Sequence, residues 1–290
     1  MKWKNWLAAI LVCSYPAVCM AEPPLLMLDN GEYQVPAIYT PASATGRGAE
    51  AEKRPAVVLL HGTASHKNEV GDLYLKLAVR LASQGIASLR IDFAGTGDSP
   101  VDYLQYDLNS ATRDAFIAYQ YLIKRPELDA SRIGVVGFSQ GGLIAQLLVA
   151  QAPEIKTLVA WSSVAGDGSQ AFAGMFDALY AEAKTNGYAH MKFDWRSPLK
   201  VNVSWFEQAL QQRALSELAN YSGPVLAVAG SSDTVVDPSS ALRLVESAGS
   251  ADGRAVILKG ADHIFNVLTP GASQPDALLT ITQQWLTEHL

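Results

Sequence analysis

Ser139, Asp233 and His263 lie far apart in the chain, yet each has the residue type and neighbours that nucleophilic catalysis needs. A serine hydroxyl attacks poorly alone; it needs a base within hydrogen-bond reach, and the base needs a partner to orient it. Ser139 stands in Gly137-Phe138-Ser139-Gln140-Gly141, a G-x-S-x-G pattern between an apolar run at 133–136 and a second at 143–148. That order reads as buried strand, tight turn and apolar helix. Such a corner lifts the serine clear of the sheet in a strained conformation, and the flanking glycines let other backbone approach. The bare pattern also arises by chance in loops containing Gly and Ser; here the strand before it and the helix after it mark a nucleophile. The helix N-terminus beneath Ser139 favours negative charge, and the Gln140 N–H points where an oxyanion would form.

The chain has five histidines, His61, His66, His190, His263 and His289. His263 follows Gly260-Ala261-Asp262 just past the last predicted strand, at the sheet edge where catalytic groups gather in open α/β folds. The alternative is a loop histidine without a role. His289, one residue from the end, reads as a solvated helix residue, and His190 as packing or a substrate contact. An orienting acid should follow another strand end, and Gly230-Ser231-Ser232-Asp233 does so after 225–229, with Asp237 as the alternative. Asp262 would struggle to fold back onto the ring of its neighbour. The order Ser139, Asp233, His263 is the Ser…Asp…His order of strand–elbow–helix hydrolytic sites. Asp233 would fix the imidazole tautomer and stabilise the imidazolium without taking up its proton. A second oxyanion donor should come from the loop after the first buried strand, His61-Gly62-Thr63, where the Thr63 N–H fits. His61 competes as a base, but its strand-end position suits a structural loop hydrogen bond.

These residues need a sheet to carry them. Uniformly apolar 56–60 reads as a strand buried on both faces, followed by a helix over about 69–83 that Gly85 ends. Strands at 86–93, 157–162, 225–229 and 255–258 alternate with helices at 103–124, 239–248 and 276–289, and 25–39 carries a hairpin signal at Asn30-Gly31. This alternation means an α/β fold with a mainly parallel sheet covered on both faces. From 164 to 222 the rhythm breaks in a segment holding Phe172, Phe176, Tyr180, Tyr188, Phe193, Trp195, Trp205 and Phe206. It is too long for a plain crossover and reads as an inserted lid after the sixth strand, its aromatics lining a pocket or forming a small core of their own. The core parts are then 22–163 and 223–290. Three other motifs fail: Gly95-Thr96-Gly97 lacks the third glycine of a dinucleotide site, Ser197-Pro198-Leu199-Lys200 has a proline in an S-x-x-K pattern, and 66–69 is no zinc pattern.

A hydrophobic content of 49% with 17% charged residues describes a globular chain, and the net charge of −6 argues against nucleic acid or anionic membrane as partner. Lys2 and Lys4 precede an apolar stretch at 7–13 and small residues at 17–21, which predicts a signal peptide over 1–21, cleaved after Ala21. The apolar stretch is too short to span a bilayer comfortably. Valine before Cys13 and before Cys19 disfavours lipidation, and cleavage would remove both cysteines. The expected product is a periplasmic or secreted, cysteine-free protein, a monomer by default, without stable membrane insertion.

The loop 61–63, Asp92-Phe93-Ala94-Gly95-Thr96-Gly97-Asp98-Ser99, the elbow 137–141, Gly230…Asp233 and His263 together resemble the α/β-hydrolase superfamily over essentially the whole chain after the signal. The stretch 61–69, with the D-x-x-G-x-G-D-S loop and the insertion, most resembles cinnamoyl/feruloyl esterases. The resemblance implies an α/β-hydrolase fold, ester hydrolysis through an acyl-enzyme by a Ser139–Asp233–His263 triad, an aromatic-lined lid, a small-molecule ester as partner, and neither cofactor nor metal. Thr63 departs from the apolar residue frequent in the feruloyl-esterase loop. A prolyl-oligopeptidase-like peptidase or amidase, an acyltransferase, and a non-catalytic binding protein on the same fold remain alternatives.

Overall fold

The computed structural model describes residues 23–43, 52–172, 174 and 176–290. The expected signal peptide and the middle of the 40–54 loop lie outside the described residues.

Strands β1 (Leu25–Asp29) and β2 (Gln34–Thr40) form the hairpin that Asn30-Gly31 announces. Gly31 takes φ 90°, and the Asn30 side chain accepts the N–H groups of Glu32 and Tyr33. β3 (Arg54–Leu60) is buried from its second residue on. Its side chains divide as strand geometry requires: Val57 and Leu59 face one core, Ala56, Val58 and Leu60 the other. Helix α1 (Leu73–Ser83) starts later than its periodicity suggests, because a 3₁₀ turn with Gly71 and Asp72 at positive φ precedes it. β4 (Ala87–Ile91) follows. Helix α2 (Leu108–Ile123) likewise begins after a short 3₁₀ turn at Tyr103–Gln105 and an extended Tyr106; Asp107 and Ser110 form a capping box there. β5 (Leu128–Phe138) leads through Ser139 into α3 (Gln140–Gln151), and β6 (Thr157–Trp161) completes the first half.

The long segment after β6 holds α4 (Phe176–Asn186), the antiparallel pair β7 (Tyr188–Met191) and β8 (Leu199–Asn202), α5 (Val203–Gln211) and the short α6 (Ala214–Glu217). Five of its aromatics pack on one another: Phe172 on Trp205 (4.8 Å), Phe176 on Tyr180 (5.0 Å), and Phe206 on Trp205 (4.9 Å), Phe176 and Tyr180 (5.6 Å each). Phe172, Phe176, Trp205 and Phe206 are buried, and rather than forming a separate small core these rings join the core on the α2–α3 side of the sheet. Asn202 Nδ2 donates to the Leu104 carbonyl and Ser204 Oγ to Asp107, which fasten the segment to the start of α2.

β9 (Val225–Gly230), α7 (Ser240–Ser247), β10 (Gly253–Leu258) and α8 (Gln274–His289) close the chain. The eight-stranded sheet has the order β1-β2-β4-β3-β5-β6-β9-β10. Only the pairs β1/β2 and β2/β4 are antiparallel; the other pairs run parallel, so their carboxyl ends share one edge. Helices α1 and α8 cover one face through Leu73, Leu77, Leu278 and Trp285, and α2 and α3 cover the other through Ala111, Ala115, Leu143 and Ile144. The sheet is thus mostly parallel with helices on both sides.

Candidate active site

Ser139 occupies the corner between β5 and α3 at φ 53°, ψ −119°, a conformation that costs a non-glycine residue of order 1–3 kcal/mol. Both flanking glycines are required by backbone contact. A Cβ on Gly137 would lie 2.3 Å from the Gly141 carbonyl oxygen, and one on Gly141 would lie 2.2 Å from that of Leu60. The Ser139 N–H donates to the Trp161 carbonyl at 2.9 Å, tying the corner to β6.

His263 lies beyond β10, with its Nε2 3.1 Å from Ser139 Oγ and its Nδ1 2.8 Å from Asp233 Oδ2. The loop holding it is folded by its neighbour: Asp262 accepts the N–H groups of Ile264 and Asn266, so its carboxylate turns forward, away from the imidazole. Asp233 sits in the turn after β9, its side chain fully buried, and its Oδ1 accepts the N–H groups of Val235 and Val236 at 2.8 and 2.9 Å. Burial alone would raise this carboxyl's pKa. The His263 hydrogen bond and charge, with the two backbone donors, outweigh burial and hold it below the usual carboxylate range. An ionised Asp233 accepts from Nδ1–H, which leaves the Nε2 lone pair to face the serine hydroxyl. Asp237 instead accepts the Ser239 N–H ahead of α7.

The loop after β3 runs directly against the nucleophile. A Cβ on Gly62 would meet the Phe138 ring at 2.8 Å and Ser139 Cβ at 3.4 Å, so only glycine passes there. Thr63 Oγ1 donates to Gln140 Oε1 at 2.6 Å and joins the two residues whose N–H groups are candidate oxyanion donors. Gln140 is the first residue of α3, so its N–H has no intrahelical acceptor. His61 does not meet Ser139. Its Nδ1 is 2.7 Å from the Gly62 carbonyl, and its Nε2 accepts from the Phe93 N–H. Burial pushes its pKa below the usual value, in keeping with a neutral ring that braces the loop.

Sequence reasoning missed Glu69. Its carboxylate is buried and accepts the Gly62 N–H at 2.7 Å, the Ser65 hydroxyl at 2.6 Å and the Val70 N–H at 2.8 Å. Its own backbone lies at φ 61°, ψ 167°, a region essentially reserved for glycine. The spacing Gly62-x₆-Glu69 carries no periodic signal, and only the folded loop brings the carboxylate back to Gly62.

The other histidines take structural places. His190 Nδ1 lies 2.7 Å from Glu182 within the long segment after β6. His289, expected in solvent, stacks on Trp285 at 3.9 Å and meets Asp252 through Nε2 at 2.9 Å, because the end of α8 packs back on the sheet domain.

A serine, a histidine and an aspartate hydrogen-bonded in this order, beside two candidate backbone donors, form an arrangement that can perform acyl transfer. A family model described as serine aminopeptidase, S33, matches residues 51–197, just over half of the chain. The chain belongs to this family of α/β hydrolases. Among curated relatives, the rice (Oryza sativa subsp. japonica) acylamino-acid-releasing enzyme 2 is 26% identical over 83% of this chain, which spans only 31% of that enzyme's length. An uncharacterized protein of Mycobacterium tuberculosis is also 26% identical, over 86% of this chain and 74% of its own. Among solved structures, Est1E of Butyrivibrio proteoclasticus with bound ferulic acid superposes with a TM-score of 0.70 at 20% identity, covering 91% of this chain and 98% of that one. A soluble variant of the Saccharomyces cerevisiae monoglyceride lipase superposes at 0.72 and 18% identity, covering 95% and 99%. At such identities the likeness shows the hydrolase fold.

Proposed function

We propose that this hydrolase is an exported serine carboxylesterase acting on small to medium acyl or aroyl esters, feruloyl-like esters among them. The unbroken hydrogen-bond chain Ser139–His263–Asp233 carries the reading. His263 Nε2 takes the hydroxyl proton as Ser139 Oγ bonds to the ester carbon, and the carbonyl electron pair moves onto oxygen. The Thr63 and Gln140 N–H groups hold that oxyanion, each contributing ~3 kcal/mol in the transition state. The tetrahedral species collapses, the alkoxide leaves with the proton from His263, and Ser139 is acylated. Water, deprotonated by the same imidazole, attacks the acyl-enzyme; its collapse releases the acid and returns the proton to Ser139.

The test is a kinetic series on residues 22–290 with p-nitrophenyl esters from acetate to laurate and with methyl ferulate. Turnover by the wild type, lost by about 10³-fold or more in Ser139→Ala, is expected. A Ser139→Ala protein with full activity would overturn the assignment. The name of the family model and the rice acylamino-acid-releasing relative favour a second reading, cleavage of aminoacyl or N-acyl-aminoacyl amides. If p-nitroanilides of that type exceed every ester in kcat/KM, the peptidase reading replaces the esterase one. Export rests on residues 1–21. Fractionation of cells making the full chain, with mass spectrometry of its N-terminus, should find the protein outside the cytoplasm beginning at Glu22. An intact cytoplasmic chain would refute export.

A further inference from the structure

We propose that Arg196 binds a carboxylate carried by the substrate, beside the ester bond that Ser139 attacks; the inference rests on the esterase reading and narrows its substrate class to anionic esters. Arg196 lies between β7 and β8, in the inserted segment, and its Nη1 donates to the Ala64 carbonyl at 2.7 Å. Ala64 follows Thr63, whose hydroxyl is bonded to the residue after the nucleophile. The guanidinium is thereby fixed next to the loop of the candidate oxyanion donors.

Two observations point to a ligand. The first is charge. Arg80, Arg113, Arg125 and Arg132 each pair with an Asp or Glu. Among the described residues Arg196, Arg213, Arg243 and Arg254 have no carboxylate partner, and of these four Arg196 is the one bonded to the loop after β3. The second is unused donors. Buried nitrogens without an acceptor occur among the described residues at Arg113 Nε, Gln140 Nε2 and Arg196 Nε. The Arg113 guanidinium already holds Glu32 through both terminal nitrogens, at 2.7 and 2.8 Å. The other two belong to residues bonded to Thr63 and to Ala64, so both stand on the same dipeptide. A buried, unanswered donor is costly and persists where something else compensates. An anionic substrate supplies acceptors at this place, and a planar fork such as Arg offers is the group that fits a carboxylate. Trp195, 67% exposed, lies with its ring centroid 5.8 Å from the Arg196 guanidinium carbon, so an apolar linker or arene next to the carboxylate has a surface to lie on.

The carboxylate can belong to the acyl side or to the leaving group, and two matched pairs of esters separate these. On the acyl side, p-nitrophenyl hemiglutarate is compared with p-nitrophenyl pentanoate; on the leaving side, 4-butyryloxybenzoate with 4-butyryloxybenzamide. The readout is the ratio of kcat/KM, charged over neutral, so any loss common to both esters cancels. In one pair this ratio should fall roughly ten- to hundredfold from wild type to Arg196→Met, with Arg196→Lys between them. Ratios unchanged in both pairs would overturn the proposal. Calorimetry reads the same contact without turnover: glutarate or benzoate should bind Ser139→Ala at least tenfold more tightly than Ser139→Ala/Arg196→Met. Equal binding by both proteins likewise overturns the proposal. Absent ester turnover with the expected binding difference would instead sink the esterase reading and leave the Arg196 site standing.

Discussion

Both oxygens of Asp233 are engaged, one by the imidazole and the other by the N–H groups of Val235 and Val236. Since its folded pKa is depressed, the group stays ionised at neutral pH, and the stability it contributes is lost as pH falls through that lowered value. Asp233→Asn should keep the fold, yet its side-chain NH₂ can replace the acceptor that Nδ1–H needs and turn the tautomer. We expect kcat to fall about 10³–10⁴-fold with KM little changed, measured by steady-state ester kinetics at neutral pH. Identity and partner were legible here because each depends on local pattern: a glycine-flanked serine between strand and helix, an aspartate and a histidine each just past a strand. Thr63 Oγ1 meeting Gln140 Oε1 was not legible, since side chains 77 positions apart share no pattern before the sheet aligns them.

Between β3 and α1 the chain takes positive φ at Ala64, Glu69, Gly71 and Asp72. Such a path needs anchors, and Glu69 supplies three hydrogen bonds, one of them from the Gly62 N–H beside the nucleophile. In Glu69→Gln, one acceptor oxygen becomes a donor, which would face the Gly62 N–H or the pair Ser65 and Val70. The expected result is a kcat lower by roughly ten- to a hundredfold, from losing about 1.5–3 kcal/mol of charge-assisted bonding, with KM nearly constant. Full kcat alongside a lowered Tm would show that Glu69 only supports folding. The 3₁₀ turn in this loop explains why α1 begins four residues later than hydrophobic periodicity indicates, and a separate 3₁₀ turn at Tyr103–Gln105 delays α2 by five. Apolar residues before a helix also point inward when a 3₁₀ turn delivers them, and periodicity does not separate the two conformations.

Across the molecule, Asp114 links α2 to the β1–β2 hairpin, accepting Asn30 Nδ2 at 2.6 Å and the Tyr33 hydroxyl at 2.9 Å. Burial raises its pKa to about 7, against ~3.9 for an exposed carboxyl. Between those values the folded state holds a proton that the unfolded chain has released, so stability should decline as pH rises from about 4 to 7. Asp114→Asn should flatten this dependence, reaching a Tm several degrees above wild type near pH 8, as read by calorimetric melts across that range. Parallel slopes for the two proteins would refute it. The sheet itself was readable as alternating apolar runs and amphipathic stretches. Its spatial order was not, because which strands become neighbours depends on crossovers that length alone does not fix.

That order has a consequence in time. β9 and β10, which precede Asp233 and His263, form the far edge of the sheet next to β6, and every strand inside them is earlier in the chain. The elements that seat Ser139, β5 and α3, are therefore already in the chain before its last sixty residues are made. A growing chain, or one released early by a stop codon or a nick ahead of β10, carries a nucleophile with nothing to deprotonate it. On the esterase reading, a chain stopped ahead of β10 lacks His263 and should show no ester turnover.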